Sequence, residues 1–339
     1  MAIKDHIVIK VSYPSKWDKD FGQPMFLKQS PGNACVWGNC RFYINDPTCI
    51  ECDFWLIYEN IDSYLMEEGI CPIENCIFIT GEERTMWNYE QKFIDQFGSI
   101  ITSRDDIKHD WVFMMHYVSP WHVKKSYDYL TDHTTVVKSK DLSAIISDAV
   151  SLPGHKLRYA FTNRMQGHFK QRLDWYGKGA NFVDDKWDGL ANYRFSIAIE
   201  NAPHAGYFTE KILDCFLAQT VPFYFGCTDI DNYFPQEAVI KIDPKDYLGA
   251  IEIIEDAMHP DNYKRLLPYI REAKDLTLNK YQFFPAFADF ANNYKQNSTK
   301  KEKIVIREKR LFEGPELTTK QMLYYQKRLV EYKLKNYKV

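Results

Sequence analysis

Two polar pairs, each with a charge, stand inside apolar sequence in the stretch YRFSIAIENAPHAGYFTEKILDCFLAQTVPFYFG, residues 193–226: Glu200-Asn201 and Glu210-Lys211. A lysine in the first turn of a helix adds its ammonium to the partial positive charge of the helix end, a setting for an anion. A carboxylate beside it is costly unless it has a partner or a task. The position suggests a site; a solvated lysine and a carboxylate that merely caps the helix are the alternatives.

The flanking runs say how those residues are positioned. Phe195 to Ile199 has few polar atoms and reads as a strand buried on both faces, and Val221 to Phe225 reads the same way and stops at Gly226. Between them Glu210 to Ala218 has helical spacing, with Ile212, Leu213, Phe216 and Leu217 on one face and Thr209 as N-cap. Strand, loop, helix, strand is a βαβ unit. Both pairs then lie beyond the carboxyl end of a parallel strand and at a helix N-terminus, where such folds bind ligands.

The remainder of the chain extends this pattern. Strands are expected at His6–Tyr13, Phe54–Tyr58, Cys76–Thr80, Ser99–Thr102 and Trp111–Met115, with a helix at Tyr89–Phe97. A second series from Leu142 contains SAIIS, a helix from Lys156 to Phe169, RLDWYG, the βαβ unit and AVIKI, and gives way to helical spacing from Asp256 to Tyr294. Two alternating series imply two α/β domains with mainly parallel sheets, 1–135 and 136–299, followed by a tail, 300–339.

At 339 residues, 45% apolar, the chain has material for two cores, and a net charge of −3 argues against nucleic acid as a partner. No apolar run approaches the roughly 20 residues of a spanning helix and no basic-then-apolar leader opens the chain, so a cytoplasmic location is expected. The tail carries 12 basic and 5 acidic side chains, and TTKQMLYYQKRLVEYKLKNYKV reads as a basic amphipathic helix. Packing onto the body, peripheral binding at the inner face of an anionic membrane, and self-association compete for it. Six of eight cysteines fall between Cys35 and Cys76. They read as reduced, buried thiols of a cytosolic protein, with a structural metal site as the alternative.

The block from Tyr193 to Gly226 closely resembles the signature of family 10 glycosyltransferases, the α1,3/α1,4-fucosyltransferases: a strand ending in Glu-Asn, then Tyr-x-Thr-Glu-Lys opening a helix, then a strand and Gly. RLDWYGKG and SAIISDAVSLPGHKLRYAF resemble the preceding strand and the Arg-bearing helix, which makes Arg158 the donor-binding arginine. CIFITGEE resembles the N-domain strand whose end carries the general base, which would be Glu82, with Glu83 or His116 in its place if that match slips. The likeness runs from about Ser143 to Tyr294 and is thin elsewhere.

The resemblance implies a GT-B fold, two Rossmann-like domains facing across a cleft. It also implies inverting transfer of L-fucose from GDP-β-L-fucose to an oligosaccharide hydroxyl, an N-acetylglucosamine-containing acceptor being expected, with no cofactor and no essential divalent metal. Lys211 and Arg158 would neutralise the diphosphate, a task given to metal ions elsewhere; no Asp-x-Asp motif follows a strand. Glu210 would stabilise charge growing at the anomeric carbon. Tyr207, Thr209, Glu200 and Asn201 would line the donor site, and Glu82 would take the acceptor proton. The rivals are a GT-B enzyme using another nucleotide sugar and a catalytically silent nucleotide- or glycan-binding protein.

Overall fold

The computed structural model describes residues 6–312, apart from 22, 63–65, 85–86 and 295–299, together with 327 and 330. The chain forms two compact units, one of residues 1–115 and 287–339 and the other of residues 116–286.

The first unit is built on a seven-stranded sheet. Its strands are β1 (Ile7–Ser12), β2 (Val36–Trp37), β3 (Cys40–Ile44), β4 (Phe54–Tyr58), β6 (Cys76–Ile79), β7 (Ser99–Thr102) and β8 (Val112–Met114), with β5 (Met66–Cys71) outside that sheet. The order is β2-β3-β1-β4-β6-β7-β8, and every pairing is parallel except β2 with β3. Strands β4, β6 and β7 are buried along their whole length, as continuous apolar runs in a parallel sheet must be. Trp55, Ile57, Phe78, Phe93 and Ile100 form the core on one face.

The second unit is an all-parallel sheet of β9 (Lys140–Ile145), β10 (Leu173–Tyr176), β11 (Tyr193–Ile199), β12 (Val221–Phe225) and β13 (Ile240–Lys241), in the order β10-β9-β11-β12-β13. Its helices include Pro153–Phe169, Glu210–Leu217, Tyr247–Ala257 and Pro260–Leu276. Two Rossmann-like sheets were the expectation, and each unit has one. The helix expected over Tyr89–Phe97 shrinks to a single turn, Gln91–Ile94.

Packing places the joins elsewhere than 135/136 and 299/300. Residues 116–135 belong with the second unit because Trp121, Val123 and Leu130 are buried in its core. The helix Phe283–Asn293 delivers Phe290 to the first unit, where its ring meets Phe54 at 6.4 Å and Phe113 at 5.2 Å. The expected basic tail begins as a strand instead: β14 (Glu302–Arg307) pairs antiparallel with β5, with Ile304 and Ile306 buried and Val305 exposed. Alternation of period two in KIVI is the reason, and it shows that the front of the tail packs on the body. The helix expected over 318–339 lies outside the described residues except at 327 and 330, which are helical.

All eight cysteines are free thiols, and seven are buried. Among the described residues no group of three His, Cys, Asp or Glu side chains is arranged to hold a metal ion, and no helix is long and apolar enough to cross a membrane.

Candidate active site

In the second unit the chain runs from β9 to one neighbour, β10, and then returns to start β11 on its other side. That reversal is a switch point, where the loops diverge and leave a crevice beyond the carboxyl ends. Glu200 follows β11 at this place, and its N–H donates to the Phe225 carbonyl at the end of β12, 2.8 Å away. It is 1% exposed. A carboxylate so buried needs partners. Glu200 accepts the Thr209 N–H at 2.9 Å and its hydroxyl at 2.8 Å, and the Lys211 ammonium lies 3.1 Å away.

Thr209 caps the following helix as its sequence predicts. Its backbone is extended, and its Oγ1 accepts the Lys211 N–H at 3.4 Å and the Lys211 Nζ at 2.9 Å. The helix then buries Ile212, Leu213, Phe216 and Leu217, which fixes its first turn against the strand ends. Lys211 Nζ also lies 3.3 Å from Glu210 Oε1. Burial alone would pull the ammonium down, but Glu200 and Glu210 beside it outweigh burial and hold it above the ordinary lysine range.

Glu210 shows the same balance from the other side. Burial would raise its carboxyl, yet Lys211, Lys186 and His122 hold it well below the ordinary carboxylate range. Its Oε1 is 3.4 Å from Lys186 Nζ and 4.0 Å from His122 Nδ1. Asp214, one turn further along, takes the His122 and Val123 N–H groups at 2.9 and 3.2 Å. Burial pushes it up to about 6. Lys186, His122 and Asp214 were not singled out from the sequence. Lys186 sits in a one-turn helix after a polar run, so no hydrophobic period marks it.

Arg158 comes from the helix Pro153–Phe169 and is 8% exposed, and its Nε has no hydrogen-bond partner in the protein. Gly154 explains how it arrives: a Cβ there would stand 1.9 Å from the Asn201 carbonyl oxygen, so the helix start rests directly on the Glu200-Asn201 turn. Glu200, Glu210 and Tyr207 all act electrostatically on the Arg158 guanidinium, opposing the effect of its burial. Glu200, Asn201, Thr209, Glu210, Lys211 and Arg158 are thus brought together. Tyr207 is buried, its ring 5.5 Å from that of Tyr117, in a loop closed by the Tyr117 N–H to the Gly206 carbonyl at 2.8 Å.

Glu82 lies in the first unit, half-buried, just past β6. Its carbonyl accepts from Arg104 Nη1 at 3.4 Å. Glu83 is buried, 3.8 Å from the Arg84 guanidinium. His116 belongs to the second unit, stacked on Phe208 at 5.2 Å, with Nε2 2.9 Å from the Tyr281 carbonyl. Burial pushes it down to about 4. A ring so committed to packing is a poor candidate base.

A crystal structure of an alpha1,3-fucosyltransferase with GDP-fucose has the same fold, with a TM-score of 0.50 at 17% identity over 87% of this chain and 92% of that one. The two Rossmann-like units therefore make a GT-B protein, the fold class of one large group of glycosyltransferases. Residues 137–255, which contain Arg158 and the whole Glu200–Lys211 cluster, match the C-terminal domain of glycosyltransferase family 10 (fucosyltransferase). The human 4-galactosyl-N-acetylglucosaminide 3-alpha-L-fucosyltransferase 9 is 31% identical over 122 residues, 34% of this chain and 33% of its own length. The Helicobacter pylori alpha-(1,3)-fucosyltransferase FucT is 32% identical over 74 residues, 22% of this chain and 16% of that one. The match thus spans about a third or less of these relatives, and Glu82 lies outside the family segment.

Proposed function

We propose that the protein transfers L-fucose from GDP-β-L-fucose, with inversion and without a divalent metal, to a hydroxyl of an N-acetylglucosamine-containing glycan, forming an α1,3 or α1,4 linkage. The observation that carries this reading is the pair of buried cations in the family segment. Lys211 is kept charged at a helix start, and Arg158 keeps a buried N–H without a protein partner. Two fixed cations and a helix end are what a departing diphosphate requires. Glu210, kept ionised by Lys211 and Lys186, supplies negative charge toward the sugar as its anomeric carbon becomes positive. The acceptor oxygen attacks that carbon opposite the diphosphate and yields its proton to Glu82 while the anomeric C–O bond to GDP breaks. Glu200, Asn201, Thr209 and Tyr207 hold the frame around these groups.

Calorimetric titration with GDP, paired with a transfer assay, tests the division of labour. Lys211→Ala and Arg158→Ala should each weaken GDP roughly 10–100-fold, the worth of one charge-assisted hydrogen bond. Glu82→Gln should leave GDP affinity unchanged and lower kcat roughly 10²–10⁴-fold. EDTA should leave the rate unchanged. Undiminished GDP affinity in both cation variants would overturn the donor-site reading, and full activity in Glu82→Gln would remove the base.

A further inference from the structure

A second carboxylate is built against Glu82. Glu59 directly follows β4 and is 5% exposed. Its backbone φ is +67°, in the left-handed region that a non-glycine residue rarely adopts and that marks functional positions when the surroundings enforce it. The Glu59 N–H donates to the Ile79 carbonyl at 2.9 Å, and the side chain turns under the next strand end, where its carboxyl accepts the main-chain N–H of Glu82. Gly81 leaves the room: a Cβ there would stand 1.9 Å from Glu59 Oε1. On its other side the Glu82 peptide is held by Arg104, whose Nη1 also donates to the Trp87 carbonyl at 2.7 Å while its remaining nitrogens grip Asp106 at 2.9 and 2.7 Å.

The C-terminal segment completes the cluster. After β14, the Lys309 N–H donates to Asn60 Oδ1 at 3.0 Å, and the Lys309 ammonium, 5% exposed as a residue, lies 3.8 Å over the Trp87 ring and 5.0 Å over the Tyr89 ring. The groups acting on Glu59 are therefore Glu82 from the loop after β6, Arg104 from the loop after β7, Lys309 from the C-terminal segment, and the buried Tyr89 hydroxyl.

We infer that Glu59 is a positioning residue for Glu82, fixing its main chain and setting the charge its carboxylate feels, and that Lys309 makes the C-terminal segment part of this apparatus. The inference rests on Glu82 being the base. Burial, then the charge of Glu82, raise Glu59 to about 8, while Lys309 and Arg104 pull it down. Below that pH Glu59 keeps its proton and Glu82 faces a neutral neighbour. Above it, a second negative charge strengthens Glu82 as a base.

The test is the pH dependence of kcat/KM in the full chain, with GDP-fucose and an N-acetyllactosamine acceptor as probes. Wild type should show an upper inflection near pH 8 that disappears in Glu59→Gln, whose amide oxygen still accepts the Glu82 N–H and whose kcat at pH 6.5 should stay within about threefold. Glu59→Ala removes the acceptor and should lower kcat roughly tenfold or more without changing GDP affinity, the signature of a misplaced group. Lys309→Met should move the inflection to higher pH. Wild-type kcat in Glu59→Ala together with an unchanged profile in Glu59→Gln would overturn the inference while an inactive Glu82→Gln left the base in place. An active Glu82→Gln would overturn both.

Discussion

Glu59 and Glu200 occupy the same place in two similar sheets. Each follows a buried parallel strand, each donates its N–H to the last carbonyl of the neighbouring strand, and each leans on a glycine past that strand's end. A Cβ on Gly81 would fall 1.9 Å from Glu59 Oε1, and one on Gly226 would fall 2.3 Å from Glu200 Cγ. Their electrostatic settings are opposite. Glu200 meets an ammonium at 3.1 Å and a threonine hydroxyl at 2.8 Å. Glu59 accepts the Glu82 main-chain N–H and feels the Glu82 charge, in a left-handed backbone conformation that stores strain. One sheet has surrounded its carboxylate with a cation and donors, and the other holds its carboxyl protonated by burial and a neighbouring negative charge, so the same scaffold position carries opposite electrostatics in the two units.

The largest effect separating them is in stability against pH. Glu59 is raised from an ordinary value near 4.5 to about 8, so the native state holds a proton that the unfolded chain has lost between those values. Its contribution is complete below pH 4.5 and is lost as pH rises to about 8. The loss is at most about 5 kcal/mol, at about 1.4 kcal/mol per unit. Glu210 runs the other way: its pKa is depressed, so its contribution is present above the ordinary carboxylate range and lost as pH falls. Denaturant unfolding of Glu59→Gln minus wild type should therefore grow between pH 4.5 and 8 and then level. A flat difference would show that Glu59 is not held protonated.

Next in size is Glu200→Gln, which takes one carboxylate from Lys211 inside a buried cluster. It should cost about 3 kcal/mol, the lower end for breaking a buried pair because Glu210 remains. Glu59→Gln at the matching position should cost nothing at neutral pH. Equal costs would erase the contrast. Gly226→Ala and Gly81→Ala should each lose about 2 kcal/mol by overpacking against the carboxylates. Adding Glu59→Ala to Gly81→Ala should recover much of that loss, a non-additivity expected only if the two touch.

The two units also differ in how much of them the sequence revealed. In the second, every expected strand has a counterpart, and β12 has the expected bounds, because continuous apolar runs and a capped amphipathic helix are strong local signals. The residues around Glu200 were legible for the same reason: two strands and a cap fix their position within a few residues. In the first unit β1, β4, β6, β7 and β8 were legible too, but β2, β3 and β5 are short or half-exposed strands in a cysteine- and glycine-bearing stretch with no clean period. Strand β14 alternates KIVI over too few residues to compete with the charge run around it. Glu59 left no trace at all, since a left-handed backbone at a strand end and a contact with Gly81 arise only when β4 and β6 pair. Lys309 is farther still, brought to the strand ends by a pairing between β14 and β5.

The smallest expected effect addresses whether Thr209 is only a cap. Replacing it with Ala removes the oxygen that accepts the Lys211 N–H and should cost about 1 kcal/mol by that route. The same oxygen donates to Glu200 and receives the Lys211 ammonium, so it also sets the distance between the buried carboxylate and the cation. A cap alone would lower stability and leave GDP affinity untouched. An oxygen that aims the ammonium would, when removed, weaken GDP several-fold, though less than Lys211→Ala does. Thr209→Ser restores the oxygen without the methyl and should recover both. The first unit offers the control: Glu59 stands outside the cluster around Lys211, so GDP affinity in Glu59→Gln should match wild type.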